Sequence, residues 1–541
     1  MNTLPEKPKE KTLVPIPLIL VIVFILIILV WGQLTSVPGK KLTILHTNDL
    51  QGQIIPLIEH DGAKQTELGG LARIATVVQE VRNKKEDVLL FDSGDTIQGT
   101  LFTRLFGGEY VGELMSKLGY NAVTIGEHDF DKGPDGLRAY IKASSYPFLA
   151  ANLDIKKDSV LRGLIEPYVV LDVDGINVGV LGLMTEDTNI FANIGEDISV
   201  SNPKIAARKV IDELKPKSDI IIVLSHLGLA SDKKLAEEVS GIDIIIGGGS
   251  KTKLSTPVII NNNKGNNTII VQANNQGRYV GQLDIAVNDK KVKLIDYKLI
   301  KIESSIVPDV DFSAIITNLN DKLKEESEKT IGVTNVPLDG IKSHLRTEET
   351  NLGDLFADAV KDKFNEVDIV FQNAGGIRGD GVIGPGKISE ATIWEWHPFE
   401  NKVVLLTLTG KEIKEVLERG VSNLPMSKGN FLQVSGLTYA VDLTEEPQVL
   451  TEDNKAIKFQ GDRISDVRVN GRPLQYTKNY RVAVNDFLST GGDGFITFIT
   501  AKDKDYTPVS LTDVVKAYIE KYSPLDIKTS ARIKVKGGLL R

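Results

Sequence analysis

Cysteine is absent from the 541 residues, which excludes disulfides, thiolate metal sites, cysteine nucleophiles and a lipidated N-terminal cysteine. Any metal must be held by His, Asp, Glu, Asn or Gln. A basic excess is also missing. Against 72 Asp and Glu stand 64 Lys and Arg, a formal charge of -8, so there is no positive stripe of the kind that binds a nucleic acid polymer. Small anionic ligands stay open through local Arg residues. No internal repeat or long low-complexity tract is found. With 41% hydrophobic, 25% charged and 6% aromatic residues, the composition is that of an ordinary globular protein. The length exceeds what one hydrophobic core supports, so two domains are expected.

The longest apolar run is uncharged from Leu13 to Trp31, about the ~20 residues that span a bilayer. Lys7, Lys9 and Lys11 precede it, and by the positive-inside rule they keep residues 1–12 cytoplasmic and export the rest. The spacing predicts a transmembrane anchor over 13–31, with the globular domains at the cell surface or in the periplasm. A cleaved signal peptide is the alternative, but its apolar core is normally only ~7–15 residues and is followed by a small-residue cleavage site, which is lacking here.

Beyond Gly39, apolar runs stop abruptly at polar or glycine residues and read as buried strands. Leu42–Leu45 runs into His46-Thr47-Asn48-Asp49, Val88–Phe91 into Asp92-Ser93-Gly94-Asp95, and Ala122–Ile125 into Gly126-Glu127-His128-Asp129. Ile220–Leu224 runs into Ser225-His226, and Ile242–Ile246 into Gly247-Gly248-Gly249-Ser250. Helical spacing over Leu71–Val81 and Lys204–Leu214 alternates with these strands, which predicts an α/β domain. Hairpins are predicted for Tyr168–Val173 with Ile176–Leu181, and for Leu283–Val287 with Val292–Tyr297. Charged, helix-prone sequence around Asp311–Lys329 reads as a solvated connecting helix. The boundaries that follow are a first domain over 40–305, a linker helix over 306–335 and a second domain over 336–541.

Polar residues at the carboxyl ends of strands in one sheet converge on a common crevice. The convergent set is Asp49, Gln51, Asp95, Glu127, His128 and His226. Two aspartates, a further carboxylate and a histidine are the ligand types of a hard-metal or zinc phosphohydrolase site. Gly247–Thr252 has Lys-Thr at its end but lacks the glycines of a phosphate loop, which excludes a nucleoside triphosphatase of that kind.

The blocks Leu42-Thr-Ile-Leu-His-Thr-Asn-Asp49, Asp92-Ser-Gly-Asp95, Gly126-Glu-His-Asp-Phe-Asp131, Leu224-Ser-His-Leu-Gly228 and Gly241-Ile-Asp-Ile-Ile-Ile-Gly-Gly248 resemble, in order, the calcineurin-like metallophosphoesterase domain of 5′-nucleotidases. The resemblance implies an α/β fold of four layers, two stacked sheets flanked by helices, followed by a C-terminal α/β substrate-binding domain. It implies a site for divalent metal (Zn, Mn, Co or Mg; one or two ions), with Asp49, Gln51, Asp95, Glu127 and His226 as ligands and Asp95 bridging. It also implies a catalytic pair, His128 with Asp131. This chain departs from the family pattern in having Gln51 for His, Glu127 for Asn, Gly249 for His and Lys251 for His or Gln. Asp95, Glu127 and His226 would keep one three-ligand centre. The Lys251 ammonium is expected in the place of the second cation, the alternative being a surface lysine. His60 is a further candidate replacement ligand.

The second half resembles the family's C-terminal domain in Arg346-x-x-Glu349-x-Asn351-Leu-Gly-Asp354, Asn373-Ala-Gly-Gly-Ile-Arg378, Pro398-Phe399-Glu-Asn401 and Asn485-Asp-Phe487 through Asp493-Gly-Phe495. By that resemblance Phe399 and Phe487 sandwich a nucleobase, Asp493 bonds the ribose, and Arg346, Asn373 and Arg378 meet phosphate or the substrate's polar edge. The expected function is release of phosphate from nucleotides outside the cytoplasm. The alternative is an inactive surface protein that still binds a nucleotide.

Overall fold

The computed structural model describes residues 39–537, apart from 62–63, 158, 262–266, 380, 400 and 453–454. The apolar run 13–31 and the tail before it lie outside the described residues, among which no helix is long and apolar enough to cross a membrane.

Strands β1 (Lys40–Thr47), β2 (Val88–Asp92), β3 (Ala122–Thr124), β4 (Phe148–Leu149) and β5 (Ile165–Glu166) lie side by side in parallel. A second sheet takes β6 (Tyr168–Val173), β7 (Ile176–Met184), β8 (Ile220–His226), β9 (Ile244–Gly247), β10 (Val258–Asn261) and β11 (Asn267–Val271). The chain then returns to the first sheet as the hairpin β12 (Tyr279–Asn288) and β13 (Lys291–Lys301). The strand orders are β13-β12-β1-β2-β3-β4-β5 and β10-β11-β9-β8-β7-β6.

Because successive side chains in a strand face opposite ways, these apolar runs fill two cores at once. Leu42, Ile44, Leu89 and Phe91 meet Val178, Val180, Ile222, Leu224, Ile244 and Ile246 in the space between the sheets. Their neighbours Leu45, Leu90 and Val123 pack on the other face under Ile74, Val78 and Leu114 of helices Leu71–Lys84 and Glu109–Leu118. On the far face, Ile221, Val223 and Ile245 lie under helices Pro203–Leu214 and Leu229–Glu238. The result is helix, sheet, sheet, helix, the four layers that the resemblance implied.

The connecting helix, Val310–Ser327, is capped by Asp309, whose carboxylate accepts from Phe312 N. It is less solvated than its charges suggest, because Phe312, Ile316 and Leu319 are buried against the first domain's core. In the second domain, β14 (Ile369–Asn373), β15 (Lys402–Thr409), β16 (Leu432–Ser435), β17 (Asn479–Asn485) and β18 (Lys502–Ser510) form a sheet of order β16-β14-β17-β15-β18. Helices Asn351–Lys363, Gly410–Val421 and Leu511–Tyr522 cover it, burying Phe356, Ile413 and Val515. The strand directions place Asn373, Asn485 and Lys402 at one end of this sheet.

Candidate active site

The carboxyl ends of β1, β2, β3, β8 and β9 deliver Asp49, Asp95, Glu127 with His128, His226 and Gly249 to one spot. Asp49, Gln51, Asp95 and Lys251 have left-handed backbone, with φ of 49°, 52°, 54° and 52°, which costs about 1–2 kcal/mol in a residue other than glycine. Such strain persists where its surroundings over-determine it. Here the tie is a ladder of backbone bonds: Asp49 N to Gly94 O at 3.0 Å, Gln51 N to Asp95 O at 2.9 Å and Gly52 N to Thr96 O at 2.7 Å. Asp129, for which no role was expected, organises the same turn. Its carboxylate accepts from the amides of Asp95, Thr96, Ile97 and Gly126 at 2.8–3.1 Å, and burial beside Asp95 pushes its pKa up to about 7.

Around this turn stand two sets of groups close enough to hold a cation. Asp49, Asp95 and His226 each offer a ligand atom within 4.8 Å of the others, as do Asp95, Glu127 and His128. His226 Nε2 is 3.4 Å from Asp95 Oδ2 and 3.3 Å from Glu127 Oε2. Asp49 Oδ1, Glu127 Oε2 and His226 Nε2 are buried without a hydrogen-bond partner among the described residues. Buried polar atoms are normally paired, so orphaned oxygens and a ring nitrogen at one spot fit a divalent ion. The outer contacts fit as well. His226 Nδ1 donates to Ser93 O at 2.5 Å, which aims Nε2 inward. Asp49 Oδ2 accepts from Asn48 Nδ2 at 2.7 Å and Gly249 N at 3.0 Å, leaving Oδ1 as the donor atom. Gly249, which lacks the family's side chain, thus contributes through its amide.

Charge coupling here is strong. Burial works against the ionised forms, yet His226 and His128 hold Asp95 well below the usual carboxylate range, and Asp95 and Glu127 hold His226 well above the usual imidazole range. Burial, with Asp95 nearby, raises Asp49 to about 6. His128 Nδ1 lies 3.1 Å from Asp131 Oδ2. Although burial opposes it, Asp95, Asp131 and Glu127 raise His128 to about 10.

Two expectations for the lost ligand positions are corrected or left outside. Lys251 is exposed, and no ion pair within 4 Å joins it to Asp49 or Asp95 among the described residues. It acts on Asp49 through space rather than through an ion pair. His60 pairs with Gln65 in the hairpin Leu57–Asp61 with Lys64–Leu68; its side chain is outside the described set. Gln51 is buried, with Oε1 3.4 Å from Asn275 Nδ2.

In the second domain, all six residues named from the sequence line one cavity of about 420 Å³: Arg346, Asn373, Arg378, Phe399, Phe487 and Asp493. Asn373 is fixed by donating to Asp493 Oδ2 at 2.8 Å and accepting from Asn485 Nδ2 at 2.9 Å. The Arg378 guanidinium stacks 5.0 Å from the Phe399 ring centre, and 45% of Phe487 is exposed. Ala374 fits its buried turn without left-handed backbone. A second cavity of about 550 Å³ lies between the domains, walled by Glu127, His128, Asp131 and His226 on one side and Asn401, Lys402, Asp486 and Phe487 on the other. The sequence reading missed Lys402 and Asp486, because nothing local to them signals that they face another domain.

The family described as calcineurin-like phosphoesterase matches residues 42–250, and that described as 5′-nucleotidase, C-terminal domain, matches residues 330–500. The 5′-nucleotidase of Bos taurus is 31% identical over 538 residues, covering 92% of this chain and 91% of the relative. The trifunctional nucleotide phosphoesterase protein YfkN of Bacillus subtilis (strain 168) is 31% identical over 91% of this chain, which spans only 35% of that protein's length. Among solved structures, the 5′-nucleotidase precursor from Thermus thermophilus is 32% identical with a TM-score of 0.62, covering 92% of this chain and 100% of that one. With both domain families matched in order and this identity sustained across nearly the whole chain, the protein belongs to the 5′-nucleotidase family and is a hydrolase acting on phosphoric ester bonds.

Proposed function

We propose that the protein releases phosphate from nucleotides outside the cytoplasm, tethered by residues 13–31, with a metal centre reduced relative to the family's. The observation that carries this reading is that Asn401 and Phe487 wall both cavities, so one ligand can put its base in the second domain and its phosphate beside Asp95 and His128. Asp95, Glu127 and His226 would hold one divalent cation, and Asp49 and Gln51 with Asp95 would offer a second, weaker position. When bound, the ion supplies Lewis acidity toward a phosphoryl group.

The chain's own residues supply the rest. Phe399 and Phe487 stack the base, Asp493 accepts from ribose hydroxyls, and the Arg346 and Arg378 guanidiniums meet anionic oxygens as planar donor forks. With Nδ1 held by Asp131 Oδ2, His128 lines the cleft between the domains. There it would steady the charge that develops on the phosphate. A second reading, an inactive nucleotide-binding surface protein, is favoured by the bare Gly249 and the outward Lys251, two ligand positions without a donor side chain.

Phosphate release from AMP, ATP and a UDP-sugar by the fragment from Lys40 onward, with Mn, Zn, Co or Mg supplied, separates the two readings. Release that Asp95→Ala abolishes supports the enzyme. Saturable nucleotide binding without release supports the second reading.

A further inference from the structure

Between the domains runs a chain of contacts that ends on the catalytic pair. Asp131 has two oxygens with different partners: Oδ2 faces His128 Nδ1 at 3.1 Å, and Oδ1 accepts from Lys402 Nζ at 2.8 Å. Lys402 belongs to the other domain, as the first residue of β15. Both side chains of this ion pair are only 13% exposed, so it is screened far less than a surface bridge, whose worth is small.

The far end of Lys402 is equally anchored. Its backbone N donates to Asp486 Oδ2 at 3.1 Å, while Asp486 Oδ1 accepts from Asn401 Nδ2 at 2.6 Å and Phe487 N at 2.8 Å. The carboxylate that seats Phe487 therefore also seats the lysine that reaches Asp131. Burial alone would raise the pKa of Asp131, but His128 and Lys402 together hold it below the usual range.

We propose that Lys402 is a positioning residue. Carried by the nucleotide-binding domain, it fixes Asp131, and through it His128, only while the two domains are docked as here, so the catalytic pair is fully braced only when the base site and the metal centre face one cleft. This rests on the phosphohydrolase reading above. A second interdomain bridge, Arg104 Nη2 to Asp513 Oδ1 at 2.5 Å, has a carboxylate that is 64% exposed and touches neither His128 nor Asp131, which makes it the internal control.

The test compares Lys402→Gln, Lys402→Arg and Asp513→Asn in nucleotide turnover, with thermal melting to verify folding. Lys402→Gln is expected to lower kcat about tenfold or more with KM within about threefold, because loss of orientation acts on the transition state. Lys402→Arg restores most of kcat, and Asp513→Asn leaves it within about twofold. A Lys402→Gln kcat within about twofold of the parent, or an equal loss in Asp513→Asn, overturns the inference by reducing the lysine to interface adhesion.

A second readout needs no activity. The chain has no cysteine, so Ile205→Cys and Tyr476→Cys, at positions 67% and 56% exposed, take spin labels cleanly, one in each domain. Lys402→Gln is expected to leave the interdomain distance distribution at the docked value, and a shift away from it overturns the inference by making the lysine interface adhesion. A parent protein that releases no phosphate overturns the functional reading, while the distances still decide the docking.

Discussion

His397 is fully buried behind two residues that line the second-domain cavity, with Nδ1 2.7 Å from Gly376 O and its ring edge-on to Phe399 at 5.6 Å. Burial, aided by Arg104 and Arg378 and opposed by the bond to Gly376, lowers its pKa from 6.5 to about 4. The folded protein thus keeps the ring neutral where the unfolded chain protonates it. Between pH 6.5 and 4 the unfolded state binds the extra proton, and this residue's contribution to stability is lost as pH falls. At pH 5, 1.5 units below the unfolded value, the loss is about 2 kcal/mol, and at pH 7 it is close to zero. In His397→Asn the carboxamide keeps a donor for Gly376 O but cannot titrate. Trp394 and Trp396 lie just before this residue, in the helix Glu390–Trp396, so tryptophan fluorescence reports unfolding of this domain in urea. Relative to the parent, the variant is expected to gain about 2 kcal/mol between pH 7 and pH 5, whatever constant cost the substitution carries. An equal difference at both pH values would refute the buried, neutral histidine.

Two further outcomes follow from the site's geometry. Phe399→Ala removes one stacking face and the ring under Arg378, so KM for a nucleotide is expected to rise about tenfold with kcat little changed; an unchanged KM in steady-state kinetics would remove Phe399 from the base site. At Gly126 a methyl group would overlap the Asp95 carboxylate, so Gly126→Ala is expected to keep a native circular dichroism spectrum but to fall well below the parent in bound metal after dialysis against Zn or Mn.

How much of this was legible beforehand follows from where the information sits. Strand runs such as Val88–Phe91 and Ile220–Leu224 declare themselves because a strand buried on both faces must be apolar at every position. The residues that end them declare their chemistry because ligand type is a property of the side chain alone. Asp49, Asp95, Glu127, His128 and His226 could therefore be named from the sequence, and so could the six residues of the second cavity, once the blocks around them were read together. What the sequence could not fix was direction. Lys251 stands at a ligand position, yet it is exposed, while Asp49, Gln51 and Asp95, with the same left-handed backbone, are buried. Asp129 sits beside His128 but spends its carboxylate on four backbone amides. Lys402 is 271 residues from Asp131, and no periodicity relates two residues that meet only across a domain interface. Residue type and local pattern determined the alternation of strands and helices and the polar residues that end the strands, and the blocks they form carried the resemblance to the family; the tertiary structure alone decided which charges meet, because that depends on backbone turns and docking that bring together distant parts of the chain.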